Sequence, residues 1–153
     1  MLLVGVENQG VWLWGVQDDG RNASVWEREN SIGEPWTATG EGLNEYLWHF
    51  LLLETVLGGR HGLGINNATW EQTQRFLAGW SAVSVKPWRW PGPNHALWFR
   101  DGCLAFTCAN ELPGTPVDAG TFYSVFVASR DAAALTGVDR LDLQWDWDSG
   151  AFA

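Results

Sequence analysis

A chain of 153 residues with 46% hydrophobic content can close one core that buries roughly 68–70% of its unfolded surface, so a single domain over 1–153 is expected. The formal net charge of -9 excludes the Lys/Arg clusters that nucleic-acid phosphates and anionic membrane surfaces demand, and it favours a basic partner. No basic segment leads into an apolar h-region, and the longest apolar run, Tyr46 to Leu53, falls far short of the roughly 18–20 residues of a membrane span. A soluble chain in the cytoplasm is the expectation.

The twelve tryptophans can carry much of the core, since each aromatic buries about 150–250 Å². Leu2 to Val6 and Val11 to Val16 read as two strands joined by the turn Asn8-Gln9-Gly10, and Val11 to Val16 is apolar on both alternating faces, as in a covered strand. Asp18-Asp19-Gly20 is a second turn and Ser24 to Arg28 a third strand, which makes an antiparallel meander. After the loop Ser31 to Pro35, Trp36-Thr37-Ala38 leads into a helix on which Leu43, Leu47, Phe50, Leu51 and Leu57 recur at helical spacing, until Gly58-Gly59 ends it. Trp48, Leu52 and Leu53 widen the apolar stripe beyond one face, which means deep burial or a second contact made by the same helix.

Glycine-rich Arg60 to Asn67 reads as a connector. A second helix follows, with Thr69 and Gln72 forming a capping box and Thr73, Phe76, Leu77 and Trp80 facing inward. Prolines 87, 91 and 93 rule out regular structure from Lys86 to Pro93. Ala96 to Arg100 and Cys103 to Thr107 flank Asp101-Gly102, the pair favoured in a type I′ hairpin. Cys103 and Cys108 are separated by an odd number of positions, so they point to opposite faces and do not pair with each other. Phe122 to Ala128 is a further buried strand, and Ser129 caps a short helix over Arg130 to Thr136, ended by Gly137. Finally Leu141, Leu143, Trp145 and Trp147 alternate with Asp142, Gln144, Asp146 and Asp148, the period of an edge strand with a ladder of carboxylates outward. The whole is α+β: an antiparallel sheet, meander plus hairpin, with helices packed against it.

His49, His61 and His95 are scattered and match no zinc spacing, and no nucleophile elbow or P-loop is present, so neither catalytic residues nor a cofactor or metal is expected. Gly58 to Gly64 lacks the Lys-Ser/Thr of a phosphate cradle. The rival to a binding role is carbohydrate binding or processing, with tryptophan platforms and a carboxylate pair that the spacing does not single out. A structural or adaptor domain is a third reading.

Glu7 to Trp14, then Val25-Trp26-Glu27-Arg28, then Trp36 and the helix from Leu43 to Leu57 resemble the later part of an SMI1/KNR4-type domain of the SUKH superfamily. The likeness covers residues 1–57; Arg21-Asn22-Ala23 stands where the family often has Asp-Pro-Pro, and residues 58–153 add a hairpin and helices outside it. The resemblance implies an α+β fold and non-catalytic protein binding. Many bacterial members are immunity proteins that neutralise polymorphic toxins, often nucleases. On that footing the partner would be a basic toxin domain. Its expected contacts are the acidic residues Asp18, Asp19, Asp142, Asp146 and Asp148, with Trp88 and Trp90 as aromatic anchors in an exposed loop.

Overall fold

The computed structural model describes residues 1–18, 23–92, 94–111, 120–139 and 143–148, and of Asp18, Asp139, Trp147 and Asp148 it describes the backbone alone. Along these residues the elements run β1 (Leu2–Val6), β2 (Trp12–Asp18), β3 (Ala23–Glu29), β4 (Thr37–Gly42), α1 (Leu43–Leu57), β5 (His61–Thr69), α2 (Trp70–Leu77), β6 (Ser81–Ala82), β7 (Ala96–Arg100), β8 (Cys103–Ala109), β9 (Phe122–Ser129), α3 (Ala132–Asp139) and β10 (Trp147–Asp148). They form an α+β fold with two antiparallel sheets, ordered β1-β2-β3-β4 and β10-β5-β9-β8-β7-β6.

The first sheet is the expected meander with one strand more. At its first turn Gly10 takes φ 73°, and the buried Glu7 carboxylate accepts the N–H groups of Gln9 (2.9 Å) and Val11 (3.4 Å). The turn is thereby held from within. Of Trp36-Thr37-Ala38, expected to lead into the helix, the last two instead open the edge strand β4 (Thr37–Gly42), whose alternation is masked by Gly40 and Gly42. Gly5 sits where β1 bulges, and a Cβ there would overlap the Tyr46 hydroxyl.

Helix α1 has the expected bounds, but the residues it buries are Tyr46, His49, Leu53 and Val56. Leu47 and Leu51, expected inward, face out, because the bulk of Tyr46 and the polar demands of His49 fix the helix rotation. Arg60 to Asn67 is no connector: His61–Thr69 forms β5, an interior strand of the second sheet. Leu63 and Ile65 fill one of its faces, so Gly62 and Gly64 fall on the other by the two-residue period and leave that half of the strand pattern blank.

Helix α2 carries its capping box, with Thr69 N–H on Gln72 Oε1 (2.8 Å) and Gln72 N–H on Thr69 Oγ1 (3.2 Å). In the β7–β8 hairpin Asp101 (φ 48°) and Gly102 (φ 78°) both take the left-handed angles of a type I′ turn. Helix α3 starts later than expected and runs through Gly137; Asp131 caps it by accepting Ala133 N–H (2.9 Å), while Ser129 Oγ accepts Asp131 N–H (3.2 Å) one step upstream. The terminal alternation does reach the sheet edge, where β10 pairs with β5, but among its described residues only Trp147–Asp148 is strand; Leu143 is nonetheless buried and Gln144 and Asp146 exposed.

The second sheet divides two cores. On one face Leu63, Ile65, Ala105, Val125 and Val127 pack with Phe76 of α2 and Leu135 and Val138 of α3. On the other, Leu97, Phe106 and Cys108 meet Tyr46, Leu53 and Val56 of α1 and Trp14, Val16 and Val25 of the first sheet. Helix α1 therefore lies against both sheets. Cys103 belongs to the first core and Cys108 to the second, both as free thiols, in keeping with opposite faces of β8.

Candidate functional site

Two sites emerge from this packing, one buried and one exposed. The buried one is built by the proline-rich segment that precedes β7, which crosses the first sheet and is fastened by two inward-facing carboxylates. Glu27 on β3 accepts Arg89 N–H (3.0 Å) and the Trp12 indole N–H (3.1 Å); burial raises its carboxyl pKa, opposed by those same donors. Glu41 on β4 accepts the Trp88 indole N–H through Oε2 (2.7 Å). Lys86 Nζ donates to the Gly40 carbonyl (2.6 Å) and Arg89 to Thr37 Oγ1 (3.2 Å), so the segment is tied along the length of β4.

Beyond Glu41 the polar chain continues inward. Glu41 Oε1 meets His49 Nδ1 at 3.2 Å, His49 Nε2 meets His95 Nε2 at 3.0 Å, and His95 Nδ1 meets the Gly92 carbonyl at 2.7 Å. All three side chains are buried, with His49 at 0% exposure. The Trp88 ring lies 3.9 Å from the His49 ring and Phe106 stacks on His95. Burial lowers the His95 pKa to about 4, with the neighbouring His49 acting the same way and the Gly92 carbonyl and Glu41 opposing. Sequence reasoning left these histidines unconnected because 46 positions separate them and no motif spans that distance. Two imidazole nitrogens alone converge; among the described residues no three His, Cys, Asp or Glu side chains gather as a metal site.

The exposed site is the outer face of α1. Leu47 (51% exposed), Trp48 (55%) and Leu51 (58%) stand there as i, i+4 and i, i+3 neighbours, with Asn44, Glu45, Glu54 and Thr55 also exposed and no Lys or Arg on the helix. Beside it, the N-terminus of α1 and the bulged pair β3–β4 border an open cleft of about 750 Å³, lined among others by Trp26, Glu41 and Glu45. Both carboxylates among its described lining residues are engaged, Glu41 with Trp88 and His49, Glu45 with Gly42 N–H (2.9 Å). Lys86 stands between this helix end and β4, near Trp48.

Of the residues expected to contact a partner, Trp88 and Trp90 lie off this face. Trp88 is 1% exposed and lies at the centre of the second core, not in an exposed loop; its indole N–H finds an acceptor in Glu41, which removes the reason for it to face water. Trp90 is half-buried against Trp14 (5.6 Å between rings). Asp146 is exposed at the edge of the second sheet and accepts Asn66 N–H (2.9 Å), whereas Asp18 ends β2 in the first sheet, so these two are carried by separate sheets. Asp148 lies on β10, its side chain outside the described residues, as are Asp19 and Asp142 entirely. Among the described residues no helix is long and apolar enough to cross a membrane. Compared with family models, with curated proteins and with solved structures, the chain finds no match.

Proposed function

We propose that this chain is a non-catalytic protein-binding domain that holds a basic partner against the outer face of α1. The observation that carries the reading is the cluster Leu47, Trp48 and Leu51, three large apolar side chains more than half exposed on one helix. A helix that packs only inward keeps polar residues on its outer face, and contiguous exposed apolar surface with a polar rim is characteristic of an interface. Glu45 and Glu54 rim the cluster and the exposed face of α1 carries no Lys or Arg, so the fitting occupant has an apolar centre and a basic border. The net charge of -9, to which Asp18, Asp19, Asp142, Asp146 and Asp148 contribute, would steer such a partner from a distance. The engaged carboxylates of the neighbouring cleft favour this reading over a glycoside-processing one.

The resemblance of residues 1–57 to the SUKH superfamily narrows the proposal to an immunity protein of the bacterial cytoplasm that covers the active surface of a toxin, a nuclease among the candidates. Coexpression with the product of the adjoining gene tests it. Protection of the cells, with at least tenfold weaker binding by Trp48→Ala in calorimetry, is the expected result. The same substitution should leave stability within about 0.5 kcal/mol, because Trp48 is mostly in water. Neither protection nor binding, or binding indifferent to Trp48→Ala and Leu51→Ala, would sink the proposal.

A further inference from the structure

The buried Glu41–His49–His95 chain poses a proton count that its geometry answers. His95 Nδ1 lies 2.7 Å from a backbone carbonyl, which can only accept, so that nitrogen carries a hydrogen. In a neutral imidazole His95 Nε2 is then a bare acceptor. At the other end the Trp88 indole N–H donates to Glu41 Oε2 at 2.7 Å, which favours the ionised carboxylate and makes Oε1 an acceptor toward His49 Nδ1. With the carboxylate ionised, His49 Nδ1 donates, and in a neutral ring its Nε2 is an acceptor too. Two lone pairs would face each other at 3.0 Å inside a site almost closed to water. One additional proton between the two Nε2 atoms resolves the conflict and completes the chain.

We propose that Glu41, His49 and His95 hold this single proton in common, resident on His49, and that it fastens α1 and β4 to the segment preceding β7. The group is then neutral overall: carboxylate, imidazolium, imidazole. Its demand is two-sided. Removing the proton restores the facing lone pairs, and adding a second, on His95, sets N–H against N–H. The other ionisable groups around it do not supply a substitute. Tyr46 on α1 and Cys108 on β8 are held protonated by burial, the thiol up at about 11, and on the outer side Glu45 bonds to Gly42 N–H and Lys86 to the Gly40 carbonyl. A divalent cation between the same nitrogens would meet the lone pairs as well, but among the described residues only two ligands converge there.

Long-range proton–nitrogen spectra of the histidine-labelled full chain near neutral pH test the assignment. His49 is expected with both ring nitrogens protonated and His95 with Nδ1 alone protonated. A neutral His49, or His95 protonated at Nε2 alone, overturns the proposal. Glu41→Gln sharpens the test, because its amide can accept from Trp88 and donate to His49 Nδ1, closing the chain with no extra proton. In that variant His49 should lose its Nδ1 hydrogen and keep the one on Nε2; an unchanged His49 overturns the proposal. The wild-type spectrum decides the matter alone if the variant does not fold. A chelator-sensitive metal retained by the purified chain would put a cation where the proton is placed, and would also overturn it.

Discussion

Across the second sheet, the core under α2 and α3 and the core under α1 solve the same packing problem with different materials. The first is mostly aliphatic, with Ile65, Val125, Val127 and Val138 beside the aromatics Phe76, Trp80 and Tyr123, and its aliphatic contacts are non-directional and adjust to small changes of volume. The second sets Trp14 among Tyr46, Phe50, Trp88 and Trp90 and threads a polar chain through the middle. Indoles and hydrogen bonds are satisfied only at particular angles, so this side fixes how the two sheets and α1 sit together. The difference teaches that the sheet's two faces divide the work, one supplying tolerant burial and the other a unique arrangement.

The sharpest way to break that contrast is Trp14→Ala, which empties the centre of the aromatic core and should cost about 3–5 kcal/mol in urea unfolding, against about 0.5–1.5 kcal/mol for Ile65→Val on the aliphatic side. Equal costs would refute the distinction. Acid comes next. With its pKa lowered to about 4, His95 contributes stability that is present above the ordinary value near 6.5 and lost as pH falls between the two, about 2 kcal/mol by pH 5. Glu27 works in the opposite sense, since a raised carboxyl is relieved by protonation, and a parallel series on Glu27→Gln separates the two contributions. Urea midpoints measured from pH 7 to pH 5 that do not fall in Glu27→Gln would contradict the burial of a neutral His95. The smallest effect belongs to Tyr46→Phe. The Tyr46 hydroxyl is buried without a partner among the described residues, so its removal should be neutral or stabilising by up to about 1 kcal/mol, and a loss above that would show a bond the geometry lacks.

How much of this was legible in the chain depends on whether the signal was local. The Asp101-Gly102 hairpin, the Thr69/Gln72 cap, the bounds of α1 and the opposed cysteines all follow from neighbours in sequence, and each stands where its residues point. Strand β5 was hidden because Gly62 and Gly64 occupy one face of a two-residue period, and β4 because glycines interrupt it. The orientation of α1 was hidden because its apolar residues surround the helix, and only Tyr46 and His49, a phenol and an imidazole, decide which side is inner. The candidate sites share that limit. Trp88 reads as exposed from its proline-rich surroundings until Glu41 is seen to receive its N–H, and the pairing of His49 with His95 depends on a fold that brings distant segments together.

The placement of Cys103 and Cys108 equips the molecule with a native reporter on each side of one strand. Both thiols are shielded, and burial raises both above the usual range, so alkylation waits for the layer around each sulfur to loosen. Mass spectrometry of the two peptides after timed exposure to a thiol reagent would clock the α2/α3 side and the α1 side independently, without a mutation or an attached dye. If the two clocks run together, the layers open as one cooperative unit; if the Cys103 clock runs ahead, the half held by directional contacts is the last to yield.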